Sequence, residues 1–195
     1  MKKSMAGQGV AGALLLTGLM VSAGAMAASG DPVTGGSGTV TINVPIVTST
    51  CSVSMPTEVN LDPIDKNSLP SNFIESKNFD TVFSNCKDKT LQMSVQTANP
   101  TGNNGNIANF DSGDPDHAFY YDIQPPKDAA ITGGGAIYGS TRVFALNNTS
   151  PVLIKPGSDN YTMSSKVDLS WWKSTSLANV GSALSTSFTY NITYQ

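Results

Sequence analysis

Two stretches of the chain alternate apolar and polar residues with a period of two. The apolar residues of the first stretch are Val40, Ile42, Val44 and Ile46. The apolar residues of the second stretch are Phe188, Tyr190, Ile192 and Tyr194. Because successive side chains of a β-strand point to opposite faces, each stretch predicts a strand with one buried face.

The first stretch admits two interpretations. Pro45 has no N–H group to donate to a ladder, which restricts the stretch to a sheet edge, a strand end or a break between strands. It is either the first strand of a complete sandwich or a segment that pairs with another chain. The alternation alone favours the first interpretation, and the choice depends on the rest of the sequence.

Further strands are expected between spacers rich in Gly, Asn, Asp and Pro. The expected strands cover residues 51–55, 58–61, 78–85, 90–97, 118–123, 142–146 and 163–172. Residues 99–116 and the glycine run 133–135 are interpreted as surface loops. Short strands with no amphipathic helix between them indicate an all-β protein, with an immunoglobulin-type β-sandwich as the expected architecture.

The first 27 residues have the three parts of a secretory signal peptide. Lys2 and Lys3 supply the positive start, and the apolar run 10–21 is shorter than the roughly 20 residues that span a bilayer as a helix. The small-x-small sequence 25–27 then predicts cleavage before Ala28. The alternative is a buried N-terminal helix.

The charged residues limit the kinds of partner the protein can bind, and the two cysteines bear on the compartment in which it folds. Removal of the two signal lysines leaves 9 basic residues of the 11 against 14 acidic ones, a net charge of −5, which makes nucleic acid an unsuitable partner. An exported chain meets an oxidising compartment, so Cys51 and Cys86 are expected to form one disulfide rather than remain free thiols.

Several features occur in a fixed order along the chain. The alternating stretch precedes the segment Cys51-Ser52-Val53, a second cysteine closes Phe83-Ser84-Asn85-Cys86, and Gly181 precedes an ending with a penultimate tyrosine, Tyr194. Together these features resemble the major pilins of chaperone–usher fimbriae, the type 1-like fimbrial subunits. The ending is the most specific of them.

The resemblance implies an incomplete immunoglobulin-like β-sandwich of six strands that lacks its last strand. An apolar groove would lie beside the C-terminal strand, where a periplasmic chaperone binds first. At the outer-membrane usher, the N-terminal extension of the next subunit then takes the place of the chaperone's strand. The physical basis is β-strand addition, in which main-chain hydrogen bonds give affinity and alternate side chains set the register.

On this sequence, the resemblance implies a signal peptide at 1–27, an N-terminal extension at 28–47 and a pilin domain at 48–195. The donor strand would present Val40, Ile42, Val44 and Ile46. The strand recognised by the chaperone would present Phe188, Tyr190, Ile192 and Tyr194. Val44 stands where the family usually has a glycine, so either the acceptor groove is deeper here or the register differs, with Gly38 in that role.

The function implied is that of a structural subunit of an adhesive bacterial surface fimbria, exported through the periplasm and polymerising with identical or related subunits. Neither a cofactor nor an enzymatic activity is expected. His117 is interpreted as a loop residue, since no nucleophile signature accompanies it. Two alternatives remain, a minor adaptor subunit of a fimbria and a secreted carbohydrate-binding adhesin domain with a complete sandwich.

Overall fold

The computed structural model describes residues 50–195. The expected signal peptide and donor strand therefore lie outside the described residues. The described part contains twelve strands and one 3-10 turn, Asn103–Gly105. The strands are β1 (Ser52–Ser54), β2 (Phe73–Ser84), β3 (Leu91–Thr97), β4 (Pro100–Thr101), β5 (Ile107–Asn109), β6 (Phe119–Gln124), β7 (Ile131–Gly134), β8 (Ala136–Tyr138), β9 (Thr141–Val143), β10 (Val152–Ile154), β11 (Asn160–Trp171) and β12 (Phe188–Tyr194).

Six strands form the larger sheet, in the order β1-β2-β11-β6-β5-β4, with every pair antiparallel. The centre of this sheet is the pair of long strands β2 and β11, each of 12 residues. In β11 the alternate residues Met163, Ser165, Val167 and Leu169 are buried. Because successive side chains of a strand point to opposite faces, this two-residue period means that one face of β11 packs on the core.

Four strands form the second sheet, in the order β12-β3-β10-β7. The buried residues of both sheets belong to one continuous cluster, as expected for the two inner faces of a sandwich. β8 and β9 form a separate hairpin with a small cluster of its own. Tyr138 of this hairpin donates a hydrogen bond from its hydroxyl to that of Tyr120, on the outward face of β6, at 3.1 Å.

One disulfide joins Cys51 to Cys86, as predicted. It connects the residue before β1 to the chain just after β2, and β1 pairs with the last three residues of β2. Cys86 is fully buried in the main core. The disulfide therefore attaches the short edge strand β1 to the centre of its sheet.

Several sequence-based strand boundaries need correction. The strand expected at 58–61 is wrong: Val59 and Leu61 pack partly against the core, but these residues form no strand. The apolar and polar residues alternate here because one side of an irregular segment packs on the core. Within residues 50–195 no strand pairs with this segment, so it forms no ladder. In place of the strand expected at 142–146, the structure has only the short β9. The strand expected at 78–85 is β2, which begins five residues earlier, at Phe73.

The two expected surface loops also need correction. Residues 99–116 contain β4 and β5, with Ile107, Ala108 and Phe110 buried. The glycine run belongs partly to β7, which pairs with β10. Gly134 has φ 72°, and a Cβ there would lie 1.9 Å from the carbonyl oxygen of Pro151, so close strand packing requires the glycine.

The all-β class, the sandwich arrangement and the single disulfide are thus confirmed. Among residues 50–195, no helix has the length and apolar character needed to cross a membrane.

Candidate functional site

Among residues 50–195, the last strand, β12, lies at the edge of the four-stranded sheet and pairs only with β3. Its residues Phe188, Tyr190, Ile192 and Tyr194 lie opposite Thr97, Val95, Met93 and Leu91. These four partners on β3 are all buried. Because directly opposed residues share one face of an antiparallel sheet, the alternating face of β12 points inward, as its sequence pattern predicts.

This inward face is not fully covered. Phe188 and Ile192 are half-buried against the core, but Tyr190 is 40% exposed and Tyr194 is 55% exposed. In a sandwich whose sheets cover each other along their whole length, inward-facing aromatic side chains would be buried. The exposure of the two tyrosines marks a place where the sandwich is open.

An elongated groove of about 1190 Å³ lies beside β12. Its floor consists of inward-facing residues of the six-stranded sheet, namely Phe119, Tyr121, Ile123, Val167 and Leu169. One wall is the irregular segment 55–66, and the other is formed by residues 180–188 with Tyr190. The groove thus lies over buried residues of the main core, between an irregular segment and the start of β12.

Two hydrogen bonds lie near the groove, one between its walls and one at the far end of β12. The Lys66 ammonium donates to the carbonyl of Val180 at 3.4 Å, and the backbone N–H of Cys51 donates to the hydroxyl of Tyr194 at 3.3 Å. Both bonds are exposed. The first of them links the two walls of the groove, and the second links the end of β12 to the chain before β1.

The floor is apolar and carries no charge at neutral pH. Burial raises the pKa of Tyr121 to about 12, so its phenol stays neutral, and its hydroxyl bonds the Thr186 hydroxyl at 3.1 Å. Ionisable groups lie towards the rim, where Lys77 and Asp62 form an exposed ion pair at 3.2 Å. Such a surface fits aliphatic side chains better than a polar ligand.

The wall next to β12 is attached to the loop that follows β5. Both Asp111 and Ser112 donate their backbone N–H groups to the carbonyl of Ser185, and Ser185 donates in return to the carbonyl of Ser112. Gly113 has φ 82°, and a Cβ there would lie 1.9 Å from the carbonyl oxygen of Ala183. Sequence analysis missed this contact, because it joins residues more than 70 positions apart.

The acidic part of this loop is only partly a surface feature, contrary to expectation. Asp111 and Asp116 are exposed, but Asp114 is 2% exposed. Its carboxylate accepts hydrogen bonds from the backbone N–H groups of Ala118 at 2.9 Å and Phe119 at 2.7 Å. Asp114 therefore orders the chain that enters β6 and the floor of the groove.

The histidine and the two tryptophans of the described residues do not lie together in a functional site. His117 is exposed, and within residues 50–195 no cluster of three or more His, Cys, Asp or Glu residues could hold a metal. Trp171 packs partly on the core, and its indole N–H donates to the carbonyl of Pro70 at 3.0 Å. Trp172 is 41% exposed and stacks on Tyr120 with the ring centroids 4.2 Å apart.

Comparison with known proteins adds evidence at the level of structure. No protein-family model and no curated protein sequence matches the chain. A chain from the structure of a chaperone-usher pilus is similar in fold, with a TM-score of 0.55 and 14% identity, covering 85% of this chain and 99% of that chain. The P pilus rod subunit PapA has a TM-score of 0.55 and 12% identity, covering 74% of this chain and 99% of its own.

The protein has a pilus-subunit fold. Nearly the whole of each of these two chains is covered, so the similarity extends over complete subunits rather than a shared fragment. At identities of 14% and 12%, the likeness concerns the fold alone.

Proposed function

We propose that this protein is a structural subunit of a bacterial surface fimbria and that it polymerises by donor-strand exchange. The supporting observation is the exposure of Tyr190 on the inward face of an edge strand, in the wall of a groove that lies over core residues. An edge strand next to such a groove is a site that an additional strand would complete.

The proposed occupant of the groove is the stretch 40–46 of another copy of this chain. It is seven residues long, as is β12, so both span roughly 23 Å when extended at about 3.3 Å per residue. Val40, Ile42, Val44 and Ile46 would point to the floor, and main-chain groups would pair with the free edge of β12. A homopolymer follows if every subunit donates and accepts one strand.

The energetics are adequate for a stable fibre. Burial of four such aliphatic side chains contributes roughly 6–12 kcal/mol at about 1.5–3 kcal/mol each, before the cost of ordering the donor is subtracted. Main-chain hydrogen bonds to β12 add to this and define the direction of the strand. Between export and assembly, an open groove would aggregate, so we propose that a periplasmic chaperone covers it and that an outer-membrane usher guides the exchange.

The proposal is tested with surface-sheared material on an unheated detergent gel probed for this protein. A ladder of multimers that collapses on boiling is expected. The variant Ile42→Asp places a charge on the face that enters the groove and should abolish the ladder. The matched variant Asn43→Asp changes the opposite face of the same stretch and should keep it. Normal fibres from Ile42→Asp would refute the donor assignment.

A further inference from the structure

The groove wall at residues 180–187, called here the wall segment, has few anchors of its own. Most of its residues are exposed, and it forms no strand of a sheet. Three of its backbone N–H groups bond to the loop 111–113: Gly181 to the carbonyl of Gly113 at 2.8 Å, Ser185 to the carbonyl of Ser112 at 3.2 Å, and Ser187 to the Asp111 carboxylate at 3.1 Å. This loop therefore positions the backbone of the wall segment, whose side chains Val180 and Leu184 pack partly against the core.

The Asp111 carboxylate has a special place among these contacts. Its Oδ2 accepts hydrogen bonds from the Thr186 hydroxyl at 3.1 Å and from the Ser187 N–H, and Ser187 is the residue immediately before β12. Its Oδ1 accepts from the side-chain amide of Asn99 at 2.9 Å, just after β3. One carboxylate thus joins the start of β12 to the end of its partner strand.

We infer that Asp111 is a positioning residue for strand capture, holding the wall segment and the start of β12 in the geometry that an incoming strand requires. This inference rests on the proposed function of the groove. Asp111, Ser187 and Asn99 all lie at or near the surface, so the core does not depend on their contacts. What depends on them is the location of a strand edge to which no other strand within residues 50–195 is paired. An edge already held in place reduces the ordering cost of binding.

The test uses the mature chain with Ile42→Asp, which keeps the groove but prevents donation of its own strand. The probe is a fluorescently labelled synthetic peptide of residues 38–48, and its dissociation constant is measured by anisotropy. The added substitution Asp111→Ala should weaken peptide binding about tenfold, because the edge must then be ordered on binding. Thr186→Val keeps the side-chain shape but removes both the donor to Asp111 and the partner of the Tyr121 hydroxyl. Tyr121→Phe loses only the second of these bonds and is its control, and Thr186→Val should bind the peptide about threefold more weakly than Tyr121→Phe.

Asp116→Ala is the matched control. Asp116 lies in the same loop and is exposed, but its carboxylate accepts from the side-chain amide of Asn179, outside the groove. Binding by this variant should stay within about twofold of the parent, as is usual for an exposed substitution. Amide hydrogen exchange provides a second measurement: Asp111→Ala should speed exchange in β12 and leave β2 and β11 unchanged.

The outcomes separate the two proposals. If the parent binds the peptide and both Asp111→Ala and Thr186→Val bind it equally well, the role of Asp111 is refuted and the groove keeps its function. Equal acceleration of exchange throughout β2, β11 and β12 would likewise show a purely structural residue. If the parent with its intact groove fails to bind the peptide, the proposed function fails and this inference falls with it. Should Asp111→Ala not fold, Thr186→Val decides.

Discussion

At the residue scale, Asp122 is an unusual carboxyl group, since it is 3% exposed on the outward side of β6. Asp168 lies directly opposite on β11, and the side-chain amide of Gln124 donates to both carboxylates at 2.7 Å. Lys166 pairs with Asp168 at 2.9 Å. Burial, reinforced by the charge of Asp168, raises the pKa of Asp122 to about 6, although the Gln124 bond and Lys166 act in the opposite direction.

This pKa predicts how stability changes with pH. A carboxyl group with a raised pKa binds its proton more tightly when the chain is folded, so its contribution is present below the unfolded pKa and is lost as pH rises through about 6. Between pH 7 and pH 5 the free energy of unfolding should therefore increase by about 1 kcal/mol from Asp122 alone. Urea unfolding of the mature chain at the two pH values measures this increase.

Asp122→Asn should remove that part of the pH dependence. Asp159→Asn, at an exposed position before β11, supplies the control and should keep it. If Asp122→Asn and Asp159→Asn respond identically to pH, the assignment to Asp122 is wrong.

At the scale of elements, the strands that sequence analysis located are those with several alternating residues. β3, β6, β11 and β12 were each found to within a few residues, because a two-residue period needs several repeats to be recognised. β4, β5, β7, β8 and β10 were missed. Each has two to four residues, too few for a two-residue period to be recognised. Pairing makes them strands, either with a neighbour such as β9 or with a distant strand such as β3.

The edge strand β1 leads to a prediction for the disulfide. β1 has three residues and, within residues 50–195, pairs only with the end of β2, so its own hydrogen bonds hold it weakly. Because the two cysteines are 35 positions apart in sequence, the disulfide should contribute about 4 kcal/mol to the free energy of unfolding. The double variant Cys51→Ala/Cys86→Ala, compared with the oxidised parent by urea unfolding, should show a loss of this size.

Reduction supplies the control for that comparison. A reductant should destabilise the parent to nearly the same extent and leave the double variant unaffected. A double variant as stable as the oxidised parent would show that the core holds β1 without the covalent bond.

At the scale of the whole molecule, an open groove implies that the lone subunit is less stable than the assembled one. A ligand that binds only the folded state stabilises it by about 2.7 kcal/mol at a hundredfold excess over its dissociation constant. The synthetic peptide of residues 38–48 should therefore raise the urea midpoint of the mature Ile42→Asp chain by a corresponding amount. The same peptide with Ile42→Asp is the control and should leave the midpoint unchanged.

The opposite result is equally informative. A midpoint that neither peptide moves would mean that the open groove beside β12 is tolerated in the finished protein. The donor-strand proposal would then lose its energetic basis.

Local pattern by itself determined the all-β class, the disulfide and the inward face of β12, since these depend on residue periodicity and on a pair of cysteines. Only the tertiary structure decided that β12 is an edge strand among residues 50–195, that Tyr190 lines a groove, and that Asp111 accepts a hydrogen bond from the residue before β12. The physical reason is that the inward face of a strand is covered or left open by the elements packed opposite it, and these are distant in sequence. The groove combines residues from 55 to 190, and no local pattern records which of them come together or which strand is left without a neighbour.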